Sequence, residues 1–226
     1  MYTQKDNKKS NKKKVLAIIV FVTVAAVVAV GIFFGLKWYL EQENNQTTGI
    51  SADGFEIVNN VKIGEIPTSK WNVPPNNPKY MSIPSIGVNK ARVENLGIKA
   101  GTKSQMDDPV YSMDAGWYNQ SARPGDGHGA GLYDGHFGVG AYKAVFSNLY
   151  QAGIGDSIVV ERGDGKKFTY IIVENVTIPV KKVKMSEVMM SFDENKEGLS
   201  IITCGGTWDV AKQAYDKRTI IRAVIK

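Results

Sequence analysis

The apolar positions of this chain fall into two unlike blocks. From Val15 to Leu36 the text VLAIIVFVTVAAVVAVGIFFGL runs for 22 residues without a charge. At the helical rise this covers roughly 30 Å, the thickness of a bilayer's hydrocarbon core, and it predicts one transmembrane helix. A cleaved secretory signal is the alternative, but its apolar region is usually only about 7–15 residues long. No small-x-small cleavage site precedes the polar segment that follows. Residues 37–78 contain EQENNQTTG, SADG and WNVPPNNP, the composition of an extracellular linker. Within it, Phe55–Val61 fits a short strand or a short helix equally well.

Beyond residue 78 the apolar residues gather into short runs set apart by glycine, proline and asparagine. Strands are predicted at Tyr80–Ile86, Ala91–Leu96, Val110–Met113, Ala130–Tyr133, Ser157–Arg162, Lys167–Val176, Leu199–Thr203 and Thr219–Ile225. Ser157–Arg162 and Lys167–Val176, joined through Gly163-Asp164-Gly165, read as a β-hairpin. Short helices are predicted at Lys143–Tyr150 and Ser186–Met190. Many short strands with turn signals make residues 79–226 one mainly β domain, a closed barrel or a sandwich.

Charge sharpens this division. The formal net charge is +6, but residues 1–14 hold six lysines against Asp6, leaving +1 for everything from Lys37 onward. The nearly neutral domain lacks the basic footprint of nucleic-acid binding. The lysine-rich tail instead marks the cytoplasmic side of a single-pass anchor, with the β domain outside the cell. Trp38 and Tyr39 follow the apolar stretch, where interfacial aromatics belong.

The chain has one cysteine, Cys204, so no intrachain disulfide can form. Exported proteins usually hold cysteines in pairs, and a lone thiol is either a small buried hydrophobe or a reactive group. Along Leu199–Cys204 side chains alternate, with Leu199, Ile201 and Thr203 on one face and Ser200, Ile202 and Cys204 on the other. The sulfur then sits where the apolar run ends and Gly205-Gly206 begins, at a rim that substrate can reach. A thiol nucleophile needs a base or a cationic neighbour. Only His128 and His136 can serve as base. His136 closes the strand-like Ala130–Tyr133 run, whereas His128 lies in the glycine-rich turn Gly125–Gly129. Arg218 opens the last predicted strand. If that strand runs antiparallel to Leu199–Cys204, Arg218 and not Arg222 lies near the thiol, where its guanidinium can hold an oxyanion.

Together these segments resemble the sortase family of cysteine transpeptidases. Ser200-Ile201-Ile202-Thr203-Cys204 is similar to the family's Thr-Leu-x-Thr-Cys strand. Gly135-His136 leads into Phe146-Ser147-Asn148-Leu149 and then Gly155-Asp156, as the family histidine does. Lys217-Arg218 opens the strand after the cysteine loop, Ile83–Val88 looks like the family's first strand, and Gly116-Trp117-Tyr118 with Arg123-Pro124-Gly125 resembles a segment of class E and F sortases. The resemblance covers residues 79–226 and implies a closed β-barrel with a few short helices. It implies Cys204 as nucleophile, His136 as proton-transfer partner, and Arg218 and Thr203 at the substrate and oxyanion site. The implied substrate is an exported protein with a C-terminal LPXTG-like sorting signal, and the acceptor is an amine of a peptidoglycan precursor or a pilin. Covalent capture requires no metal or organic cofactor; Glu161, Asp164, Glu174 and Asp193 read as solvated surface charges. Two other readings compete. An L,D-transpeptidase would show Ser-x-Gly-Cys, which is absent around Cys204, and papain-like enzymes place cysteine before histidine. An envelope-binding or inactive sortase-like domain with a buried Cys204 is the non-enzymatic alternative.

Overall fold

The computed structural model describes residues 28–37, 48–50, 56–58, 60–64 and 71–226. The chain divides into two compact units, Met1–Thr47 and Thr48–Lys226. In the first, residues 28–37 are helical and exposed. The tail 1–14 and the first part of the predicted membrane span, residues 15–27, lie outside the described residues. Among the described residues no helix is long and apolar enough to cross a membrane.

The second unit opens with a small antiparallel sheet, β1 (Thr48–Ile50), β2 (Glu56–Val58) and β3 (Val61–Lys62). The stretch Phe55–Val61 therefore contributes strand rather than helix. Ten strands follow: β4 (Pro78–Ile83), β5 (Val88–Leu96), β6 (Ala115–Tyr118), β7 (Ala130–Gly135), β8 (Gly138–Val139), β9 (Tyr142–Lys143), β10 (Ser157–Arg162), β11 (Lys167–Pro179), β12 (Gly198–Asp209) and β13 (Ala214–Ile225). Eight of these close a barrel in the order β10-β11-β13-β12-β7-β6-β5-β4, and β4 returns to β10. Two neighbouring pairs are parallel, β5 with β6 and β7 with β12; the other pairs in the barrel are antiparallel.

Alternation decides what each strand buries. Leu199 and Ile201 of β12 face the interior with Trp117, Tyr133, Ile172 and Ile221, all at most 1% exposed. Ile202 points the other way and joins a second apolar cluster on the outer wall with Tyr118, Leu132, Val188 and Ile220. This outer cluster is capped by Val183 and Val188 from the β11–β12 connection, which carries the single-turn helix Met185–Val188.

Three sequence expectations need correction. Val110–Met113 is no barrel strand: Val110 and Tyr111 give their N–H groups to the Glu94 carboxylate at 3.0 and 3.4 Å, and its backbone pairing is an isolated bridge of Tyr111 to Lys62. The strand in that region is β6. The predicted helix Lys143–Tyr150 is a turn and a 3-10 helix at Leu149–Gln151, because Ser147 Oγ accepts the Ala144 N–H and donates to Phe137 O, competing with helical bonding. The first barrel strand stops at Ile83, where Pro84 starts a 3-10 turn.

The glycine-rich turn before β7 is held from inside. Glu197 is 4% exposed, and its carboxylate accepts Gly125 N–H at 2.9 Å, Gly127 N–H at 2.8 Å and the Tyr170 hydroxyl. Glu197→Ala strands these donors and should cost about 3 kcal/mol, read as a lower urea midpoint with an unchanged slope.

Candidate active site

Register brings the three candidate groups together. β7 and β12 pair in parallel from Gly198↔Ala130 to Ile202↔Asp134. The next step is a side-chain bond, Thr203 Oγ1 donating to Gly135 O at 2.7 Å across the same 68-residue separation. One residue further, Cys204 stands beside His136. On the other flank β12 and β13 are antiparallel and Cys204 is the direct partner of Arg218. Cys204 and Arg218 are thus paired across β12 and β13, and the β7–β12 offset carried one step past Gly135 sets the backbone of His136 in the same row, with neighbouring strands roughly 4.8 Å apart. Because paired residues share a face, the row projects outward, one step beyond Ile202 and Ile220.

Thr203, expected at the oxyanion site, points inward instead. It is 1% exposed and its hydroxyl proton is given to Gly135 O, so it fixes β12 to the end of β7 rather than facing the groove. His128 lies two residues before the far end of β7, whose six residues span roughly 20 Å between it and His136. It is exposed, its Nδ1 3.0 Å from Asp126 O. The Arg222 guanidinium is two rows down β13, over Phe192.

His136 is fixed at both backbone and ring. A Cβ on Gly135 would lie 2.6 Å from Phe146, so only glycine lets that buried ring pack under the histidine. Phe146 N–H then donates to His136 O at 3.0 Å. The ring nitrogen Nε2 lies 2.8 Å from Pro109 O. A carbonyl can only accept, so Nε2 carries the proton, and in the neutral ring Nδ1 keeps the lone pair.

The electrostatics oppose a resting thiolate. Burial pushes the Cys204 thiol above its ordinary value, Arg218 pulls it down, and Asp134 and Asp108 push it up. Arg218 donates Nη1 to Lys217 O at 2.9 Å and Tyr215 O at 3.3 Å, which anchors the guanidinium beside the sulfur. Asp134 is a group the sequence reading passed over. It sits two residues before His136 on the same face of β7, a placement that strand alternation alone could have flagged. Part of its surface stays open, yet desolvation pushes its carboxyl up to about 7, with Asp108 raising it and Arg218 and Lys99 lowering it.

The family model of the Sortase domain matches residues 81–226. The chain belongs to the sortase family. Solved sortases share the fold at low identity. The pilus-related sortase C of Group B Streptococcus is 18% identical, with a TM-score of 0.51, over 73% of this chain and 75% of that one. Pilus Island 1 sortase C2 of Group B Streptococcus is 16% identical, with a TM-score of 0.50, over 69% and 77%. Sortase C1 of Streptococcus agalactiae is 20% identical, with a TM-score of 0.49, over 66% of each chain. No curated protein matches the chain.

In this sortase the segment after the cysteine is a β-ribbon. β12 and β13 stay paired at Trp208↔Tyr215 and Asp209↔Ala214, with a register shift between Gly205 and Trp208. Gly206 has φ +81°, and a Cβ there would meet Asp216 Oδ1 at 2.2 Å, the atom that accepts Thr207 N–H. Tyr215 stacks edge-on with both Trp208 and Phe137, at 5.2 and 5.3 Å, beside the histidine.

Alkylation of Cys204 should therefore rise with pH through a midpoint above the ordinary 9.0. Asp134→Asn should lower that midpoint and Arg218→Met raise it, read by iodoacetamide labelling resolved by mass. Asp134 also links stability to pH. Its folded pKa of about 7 exceeds the ordinary 3.8, so its contribution to stability falls as pH rises between those values. Asp134→Asn should remove that fall, giving a melting-temperature difference from wild type that grows more favourable from about pH 4 to about pH 8.

Proposed function

We propose that this sortase is a membrane-anchored cysteine transpeptidase acting on exported proteins that end in an LPXTG-like sorting signal. The observation that carries the reading is the outward row His136–Cys204–Arg218, built by two strand registers. Cys204 sulfur attacks the threonine carbonyl carbon, and its proton passes to His136 Nδ1. The tetrahedral oxyanion forms beside Arg218, whose remaining N–H groups donate to it. Collapse breaks the threonine–glycine C–N bond, and His136 returns the proton to the departing amine. An amine of a peptidoglycan precursor or a pilin then attacks the thioester carbonyl and gives its proton to His136. The thiolate leaves and takes that proton back from His136, which completes the new amide and restores the resting thiol.

The surroundings support this assignment. Ile202 and Val176, half-buried one row below the sulfur, offer apolar surface to the leucine and proline of an extended signal. A thiol kept protonated at rest is protected from adventitious oxidation, and the proton transfer that activates it occurs when substrate excludes water. The 22-residue apolar stretch Val15–Leu36 and the lysines before it support an orientation with the N-terminus in the cytoplasm and the barrel outside. Anchoring raises the encounter concentration with substrates themselves held at the membrane.

Cys204→Ala should abolish cleavage of a fluorogenic sorting peptide. His136→Ala should lower kcat/KM by roughly 10²–10⁴-fold and Arg218→Ala by roughly 10²–10³-fold. His128→Ala should be silent. A silent His136→Ala with an inactive His128→Ala would overturn the assignment.

A further inference from the structure

Both chain segments that bracket His136 are held by the small sheet ahead of the barrel. On one side lies the strap Pro109–Ser112, whose Pro109 carbonyl bonds the imidazole. Lys62 of β3 pairs with Tyr111 in a parallel bridge: Lys62 N–H donates to Val110 O at 2.9 Å, and Ser112 N–H donates to Lys62 O at 2.8 Å. Gly64 N–H adds a bond to Ser112 Oγ at 2.9 Å, and Met113 N–H donates to Gly64 O at 3.3 Å. On the other side the β8–β9 hairpin begins two residues after His136. Its Tyr142 hydroxyl reaches the Glu56 carboxylate of β2 at 2.9 and 3.0 Å.

We propose that the β1–β3 sheet is a positioning element for His136, acting through the Pro109–Ser112 strap and the β8–β9 hairpin. The strap has no regular ladder of its own, and proline has no N–H to tie its own position. Its inner side is fixed by Glu94, which accepts Val110 and Tyr111 N–H, and by Val145 N–H donating to Ser112 O at 2.9 Å. Its outer side is fixed by β3. With both sides held, Pro109 O is a stationary acceptor, and a stationary acceptor on Nε2 sets both the tautomer and the tilt of the ring. Releasing the outer side lets the carbonyl move. The imidazole then loses its fixed proton and its aim at the sulfur. Lys62 and Gly64 bond the strap and Glu56 bonds the hairpin, so their effect on His136 is one of orientation.

The inference rests on the proposed role of His136, and the test separates the two. Lys62→Pro removes the N–H to Val110 in the full-length protein, Lys62→Ala keeps it, and Tyr142→Phe removes the bond to Glu56. A His128→Gln background leaves a single imidazole for nitrogen-15 NMR. Lys62→Pro should lower kcat roughly 10–100-fold with KM nearly unchanged. It should also convert the His136 ring from a slowly exchanging Nε2–H tautomer to a fast-exchanging mixture, at an unshifted melting temperature. Lys62→Ala, which keeps the N–H and loses the Nζ contact with the Tyr111 hydroxyl, should show clearly smaller changes than Lys62→Pro, and Tyr142→Phe the same changes to a smaller degree. A His136 spectrum and kcat that stay native in both Lys62→Pro and Tyr142→Phe would overturn the inference while leaving the transpeptidase reading intact. If the wild type cleaves no sorting peptide, that reading fails, and the imidazole spectrum still decides whether the sheet positions the ring.

Discussion

The parallel pairing of β7 with β12 is the constraint on which the rest of this structure depends. Two strands far apart in sequence must align so that Gly198 meets Ala130 and every later pair keeps the same offset. That alignment is enforced from inside the barrel, where Leu199, Ile201 and Tyr133 are packed at most 1% exposed. A slip of one residue would carry these side chains to the outer wall and turn Cys204 into the core. The Thr203–Gly135 bond locks the last step before the sulfur. Catalytic geometry here is therefore a consequence of core packing, with the outward face inheriting the register that the inward face needs.

The same geometry sets the electrostatic problem. A sulfur on a partly covered wall loses hydration, and two carboxyls nearby, Asp134 and Asp108, disfavour its ionisation. Arg218 counters them from the neighbouring strand, anchored by Lys217 O and Tyr215 O rather than by an acid that would cancel its charge. In the proposed reaction this balance leaves the thiol protonated until substrate arrives, when His136 takes the proton. Asp134 on the same face as the histidine makes this balance depend on pH near neutrality.

Much of this was legible in the chain itself. The alternation of Leu199–Cys204 put the sulfur on the face opposite Leu199 and Ile201, and an antiparallel final strand selected Arg218 over Arg222; the glycines, read as the strand's end, instead lie within β12, which runs on to Asp209. The choice of His136 came from family likeness, because parallel pairing between distant strands leaves no local mark. Backbone groups leave none either: the Pro109 carbonyl that orients the imidazole has no side chain to read. Val110–Met113 reads as a strand because its β-branched and aromatic residues fit one, yet the Glu94 carboxylate claims the N–H groups of Val110 and Tyr111 and leaves only an isolated bridge to Lys62. The strands β1, β2 and β3 span only two or three residues each, too few for a period to show.

The central claim is that the row of His136, Cys204 and Arg218 forms a covalent acyl-enzyme with a sorting signal. Intact-mass spectrometry of the protein quenched in acid, after mixing with an LPXTG-like peptide and no amine acceptor, tests it most directly. The account predicts an adduct of the peptide cleaved after threonine, mapped to Cys204, labile to hydroxylamine and absent from Cys204→Ala. Cleavage with no adduct on Cys204 at any quench time, and undiminished turnover by Cys204→Ala, would contradict it.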